Sequence, residues 1–289
     1  MKKLFLAWIM VLTGLLATGC NVIYGRLEDP LPSNTEDANK QLQDFLQSRP
    51  CYELGTNVYL EGDVQIHLFF MDDNESRWDE ESIEEFTQKQ IVLGLDFLES
   101  EARKHGKSLD FSIKRYATAF DDGYDVKYNG IVNKGEDGTH TLDLHKRAAQ
   151  ILGYENEAKM FGDLHQKHDY QEIVLLFAVN KDGVSYANQQ AGGSIYYATV
   201  EYATVFTNYL GKDFTFDEIT HPAATIAHEI LHLYGAEDLY TPYERKQMVK
   251  DIYPQDIMML GYRNIDEMNV GEYTAYAIGW ENKGPMVKA

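Results

Sequence analysis

Apolar and polar positions alternate between two periods along this chain, and the switches between them outline an α/β domain. Val64-Gln65-Ile66-His67-Leu68-Phe69-Phe70 is apolar nearly throughout and predicts a strand buried on most sides. From Ser82 to His105, Ile83, Phe86, Ile91, Leu95 and Leu98 fall near helical spacing, with Gly106 just beyond, so a long helix is expected. Leu109 to Ala117 alternates as a second strand, followed by a Gly/Asp/Asn-rich excursion from Asp121 to Gly138. Leu142 to Lys167 reads as helix, broken near Gly153 and Gly162. Glu172 to Val179 is the most strand-like stretch and is expected to end in a turn at Asn180-Lys181-Asp182-Gly183. Ser194 to Phe206, rich in Tyr, Val and Thr, predicts one or two further strands. Helices are expected over Pro222 to Tyr234 and Val270 to Ile278. Strands and helices alternate up to the last strand pair, which implies a sheet with helices packed on it.

Upstream of this domain the texture differs. Lys2 and Lys3 precede an apolar run from Leu4 to Leu16, which ends in Ala17-Thr18-Gly19-Cys20. A basic start, a short apolar core and small residues at its end describe an export signal. The run is short for a membrane span of roughly 20 residues. Its end resembles the lipobox of bacterial lipoproteins, although Ala17 stands where leucine is usual; the resemblance implies lipid on Cys20 and attachment to a membrane surface. An uncleaved anchor helix and plain secretion are the other readings. Residues 21–56 are then expected to be a tether, turn-rich at Asp29 to Asn34, with one short amphipathic helix over Ala38 to Ser48. One domain is assigned to residues 57–289. Only Cys20 and Cys51 are present, so no disulfide framework is expected.

Charge narrows the partners. Among 289 residues, 46 are acidic and 26 basic, for a formal net charge of −20. Such a surface repels nucleic-acid phosphates and does not favour polybasic attachment to anionic lipid. The chain is expected to work as a monomer.

One segment carries chemistry: His228-Glu229-Ile230-Leu231-His232-Leu233-Tyr234-Gly235-Ala236-Glu237-Asp238. Histidines four apart on a helix stand one turn above each other, so both imidazoles can reach one metal ion. Glu229 follows the first by one residue, which places its carboxylate beside the ion, where a base can take a proton from water. Ile230, Leu231 and Leu233 are left to bury the helix. Gly235 ends it, because glycine takes the left-handed conformation without a Cβ clash. The chain can then turn back and offer Asp238, with neighbouring Glu237 as the competing carboxylate. Three protein ligands and one open position make a catalytic rather than a structural metal site.

His228-Glu229-x-x-His232-x-x-Gly235-x-x-Asp238 resembles the extended zinc signature of the metzincin clan of metallopeptidases. Most members carry histidine last; aspartate there is similar to snapalysin-like enzymes. The resemblance spans roughly residues 60 to 280 and implies an α+β fold. That fold has a twisted mixed sheet with an antiparallel edge strand, a zinc-site helix and a smaller C-terminal subdomain. It implies one catalytic Zn²⁺, and an extended peptide substrate paired near Gly192 to Ala198. A methionine turn beneath the metal is implied at Asp256-Ile257-Met258-Met259-Leu260, with Met258 the choice and Met259 the alternative. The tyrosine that helps at the site in some members has its nearest counterpart in Tyr262, at a different spacing.

Other readings share these residues. A zinc peptidase of another clan would draw its third ligand from a distant glutamate such as Glu267 or Glu272. A surface binding protein would keep the metal for shape alone, although it would not need Glu229. A third reading takes peptide cross-links of a cell wall as the substrate. Arg49-Pro50-Cys51 and Glu61-Gly62-Asp63 faintly resemble latency switches of metzincin propeptides, but each is only three residues long.

Overall fold

The computed structural model describes residues 35–47, 57, 59–120, 123–135, 139–167, 172–188, 200–209, 221–241, 243–259 and 264–285. Cys20, Cys51, Tyr262 and the segment 192–198 lie outside them.

Among the described residues, five strands form one sheet in the order β2-β1-β3-β5-β4. The strands are β1 (Gly62–Met71), β2 (Leu109–Ala117), β3 (Glu172–Gly183), β4 (Tyr186–Asn188) and β5 (Tyr202–Tyr209). All neighbours are parallel except β4, which runs antiparallel to β5 at the edge. The antiparallel edge is therefore the short strand just upstream of the Gly192 to Ala198 segment.

Near-continuous apolar runs in β1 and β3 follow from parallel strands covered on both faces. Val64, Ile66, Leu68 and Phe70 of β1, with Val174, Leu176 and Ala178 of β3, point into one hydrophobic cluster. Their sequence neighbours Phe69, Met71, Ile173, Leu175, Phe177 and Val179 point into a second cluster across the sheet. The first cluster is closed by α2 (Glu80–Phe86), α3 (Val92–Lys104) and α6 (His221–Leu233), the second by α4 (Leu144–Ile151) and α5 (Glu157–Lys167).

The long helix expected from Ser82 to His105 is present but not uniform. A π-helical turn, Thr87–Ile91, separates α2 from α3, with the Val92 N–H reaching the Thr87 carbonyl. Such a turn has no signature in a 3.6-residue pattern. It presents the buried Gln90, whose side-chain oxygen accepts from the Ala223 N–H at 3.0 Å, near the start of α6. One turn on, a Cβ at Gly94 would lie 2.7 Å from the Ala223 carbonyl oxygen, so α3 and α6 cross where only glycine fits. Together these contacts fix where α6 enters the fold.

Three expectations need correction. The helix assigned to the tether, α1 (Thr35–Gln47), belongs to the domain: Leu42, Phe45 and Leu46 are buried in the first cluster, and the Phe45 ring lies 4.6 Å from Tyr273. The chain does not turn at Asn180 to Gly183, since β3 continues to Gly183 through a register shift between Val179 and Asp182. Gly162 does not break α5; only Gly153, at φ 76°, interrupts the helical stretch. A further helix, α7 (Tyr243–Val249), was not anticipated, while α8 (Glu272–Ala277) falls inside its expected range.

The reason β3 does not turn lies in a buried carboxylate. Asp73, just after β1, accepts from the Lys181 ammonium at 2.5 Å and from the N–H groups of Val132, Glu75 and Ser76 at 2.7–2.8 Å. Burial pushes the Asp73 carboxyl up, but Lys181 and these donors pull harder, and it ends below the usual carboxylate range. A lowered folded value contributes stability that is complete above the unfolded value of about 4 and is lost as pH falls through the folded one. Asp73→Asn is expected to destabilise the domain by about 2 kcal/mol at neutral pH, because it removes a charged acceptor from three backbone N–H groups and leaves Lys181 to the more exposed Glu75, 3.1 Å away. Urea titrations from pH 7 to pH 3 should show the wild type approaching the variant on the acid side. Parallel curves at all pH values would remove the ion pair from the account.

Candidate metal centre

α6 buries Ala223, Ala224, Ile226, Ala227, Ile230 and Leu231 in the first cluster and packs against β4 and β5. His228, Glu229 and His232 therefore fall on the side of the helix left over from that packing. The helix ends in a Schellman arrangement. Gly235 has φ 94°, its N–H reaches the His232 carbonyl at 3.0 Å, and the Ala236 N–H reaches the Leu231 carbonyl at 3.1 Å. This reversal carries Asp238, not Glu237, back to the histidines.

Three ligand atoms converge. His228 Nε2 and His232 Nε2 are 3.1 Å apart, and Asp238 Oδ1 lies 3.1 Å from the first and 3.3 Å from the second. Around a tetrahedral ion with bonds of 2.0–2.1 Å, ligand atoms stand about 3.3 Å from one another. The triangle thus has the size such an ion needs. Among the described residues, His228, His232 and Asp238 are the group of histidines and carboxylates able to hold a metal ion. Glu267 and Glu272 are exposed and do not belong to it.

Each histidine has its other nitrogen occupied. His228 Nδ1 lies 3.1 Å from the Ile257 carbonyl, and His232 Nδ1 lies 2.7 Å from the Ala236 carbonyl. A carbonyl only accepts, so both Nδ1 atoms carry a proton, and each Nε2 is left to face Asp238, where it holds a proton or offers a lone pair to a metal ion. Two imidazole nitrogens and a carboxylate facing one point suit a cation, whether protons or a metal ion. The proton affinities agree. Burial pushes the His232 imidazole down, but Asp238 and Glu229 raise it to about 9. Burial would also raise the Asp238 carboxyl, yet the two histidines hold it well below the usual range. A metal ion would take the place of those protons, so binding should release them.

Glu229 is 5% exposed beside this cluster. Burial pushes its carboxyl above the usual range, the two imidazoles pull it back, and Asp238 adds to the rise. Raised proton affinity suits a group that must take up a proton near neutral pH.

Beneath the histidines runs Asp256 to Met259, all buried. The Met258 carbonyl accepts from the Leu239 N–H at 2.9 Å, which ties this segment to the residue after Asp238. Met258 and Met259 are both in the first cluster. Sequence reasoning missed Asp256, which burial pushes up to about 6 against the pull of three donors. It also missed Tyr240, whose ring stacks at 20° over His228, 6.4 Å away, and is 37% exposed. A carboxylate two places before a methionine carries no signal without the packing around it.

Compared with family models, curated proteins and solved structures, the chain finds no match. No helix among the described residues is long and apolar enough to cross a membrane.

Proposed function

We propose that this chain is a zinc-dependent endopeptidase of the metzincin type. The observation that carries the reading is the meeting of His228, His232 and Asp238 at one point with a buried Glu229 beside them. Two imidazoles and a carboxylate are a donor set that zinc accepts, and three ligands leave one position for water or substrate. Two features of the fold support the family reading: an otherwise parallel sheet with one antiparallel edge strand, and a buried methionine segment under the histidines.

Zinc held there supplies Lewis acidity, lowering the pKa of water towards about 7 and polarising a carbonyl. The protein's own groups do the rest. Glu229 takes a proton from the attacking water and passes it to the departing amine. The Ala236 and Ile257 carbonyls hold the imidazoles in register. β4 is the edge strand of the described sheet, and an extended peptide paired with its main-chain N–H and C=O groups would be cleaved within its chain rather than trimmed at its ends. In this reading the export segment and lipidated Cys20 place the domain outside the cytoplasm, anchored to a membrane face.

A peptide-library digest tests the activity. Cleavage at internal bonds is expected, abolished by a zinc chelator and restored by added Zn²⁺. A chain that binds one zinc ion yet leaves every peptide intact would overturn the peptidase reading while sparing the metal site.

A further inference from the structure

One peptide group lies between a buried carboxylate and a metal ligand. The carbonyl of Ile257 accepts from His228 Nδ1 at 3.1 Å, and the N–H of Met258, the other end of the same planar amide, donates to Asp256 Oδ1 at 2.8 Å. Asp256 Oδ2 accepts from the Gly271 N–H at 2.9 Å and the Thr274 hydroxyl at 2.8 Å. The carboxylate is 1% exposed, so none of these bonds competes with water.

Its neighbours leave it one position. A Cβ on residue 271 would stand 2.5 Å from Asp256 Oδ2, so the contact exists because Gly271 has none. The Ile257 N–H donates to the Asn269 carbonyl and the Asn269 N–H to the Gln255 carbonyl, both at 2.9 Å, which clamps the amide from behind. Val270 is held in turn by Glu101 of α3 at 2.9 Å.

We propose that Asp256 is a positioning residue for the metal, acting on His228 through the Ile257–Met258 amide. The proposal rests on the metal reading above and adds to it. Metal-binding histidines commonly give their second N–H to a carboxylate, which orients the ring and makes it a stronger ligand. Here the carboxylate sits one amide further away. An ionised acceptor on the N–H end polarises the amide and strengthens its carbonyl as an acceptor, since hydrogen bonds in a chain reinforce one another in low dielectric. His228 thus receives both orientation and added donor strength from a group that never touches it. Thr274 and Gly271 hold the carboxylate in the one place where this works.

The test uses the full-length chain in detergent, with Zn²⁺ and Co²⁺ as probes. Asp256→Asn keeps an oxygen for the Met258 N–H but removes the charge; Asp256→Ser does so with a smaller group. Both are expected to weaken zinc binding about 10- to 100-fold and to shift the visible absorption of the cobalt-loaded protein. Gly271→Ala, which displaces the carboxylate, should give the same cobalt spectrum as Asp256→Asn. A purely structural role would lower the unfolding midpoint and leave the cobalt spectrum of the folded protein unchanged. Folded Asn or Ser variants with wild-type zinc affinity and spectrum would overturn the proposal alone. A wild-type chain that takes up neither ion would overturn the metal reading, and this proposal with it.

Discussion

Glu229→Gln is expected to lower peptide cleavage by about 10²- to 10⁴-fold while the zinc content stays at one ion per chain. That range is what a positioned acid–base group supplies. Glutamine matches glutamate in size, so the 5% exposed site can accept it without a cavity. It also removes a charge that burial disfavours, so the variant should be at least as stable as the wild type. It cannot accept a proton, and neither His228 nor His232 can replace it, because each Nδ1 is committed to a backbone carbonyl. Zinc content, thermal unfolding and cleavage rate measured on one preparation separate these effects. Cleavage within tenfold of wild type would remove Glu229 from the base role.

Asp238→Ala is expected to weaken zinc binding by more than about 100-fold, beyond the loss typical for groups that only support a ligand. The substitution leaves two imidazole nitrogens 3.1 Å apart with no anion to complete the triangle. Metal-free protein should respond in the opposite sense to pH. With Asp238 gone, the main pull that raises His232 disappears, and burial is opposed only by Glu229 and the Ala236 carbonyl. Proton uptake at His232 in the metal-free protein, followed by NMR, should therefore move to lower pH in the variant. Glu237→Ala, Glu267→Gln and Glu272→Gln are the controls and should retain zinc. If Glu272→Gln lost the ion and Asp238→Ala kept it, the third ligand would be misassigned.

Local patterns made much of this site and its frame legible. β2 runs over the expected residues because Leu109 to Lys114 alternates apolar and polar side chains, and α6 ends one residue short of its expected limit because Gly235 terminates it. The metal triangle was readable for the same reason: its parts lie within eleven residues, and helix geometry with one left-handed glycine determines their spacing.

What escaped the sequence depends on distant partners. The amphipathic face of α1 shows that Leu42, Phe45 and Leu46 need cover, but not that Tyr273 provides it. Asn180 to Gly183 has turn chemistry, yet Lys181 reaches back to Asp73, more than a hundred residues earlier, and the strand runs on. The π turn at Thr87–Ile91 leaves the hydrophobic spacing nearly unchanged while bringing Gln90 to the start of α6. Asp256 looked like any acidic residue in a chain with 46 of them until Gly271, Thr274 and Met258 closed on it.

The most direct measurement is crystallographic: anomalous scattering recorded on both sides of the zinc absorption edge from crystals grown with Zn²⁺. One strong peak is predicted within about 2.0–2.2 Å of His228 Nε2, His232 Nε2 and an Asp238 carboxylate oxygen. A peak elsewhere on the chain, or none with the Asp238 carboxylate turned from the two imidazoles, would contradict the account.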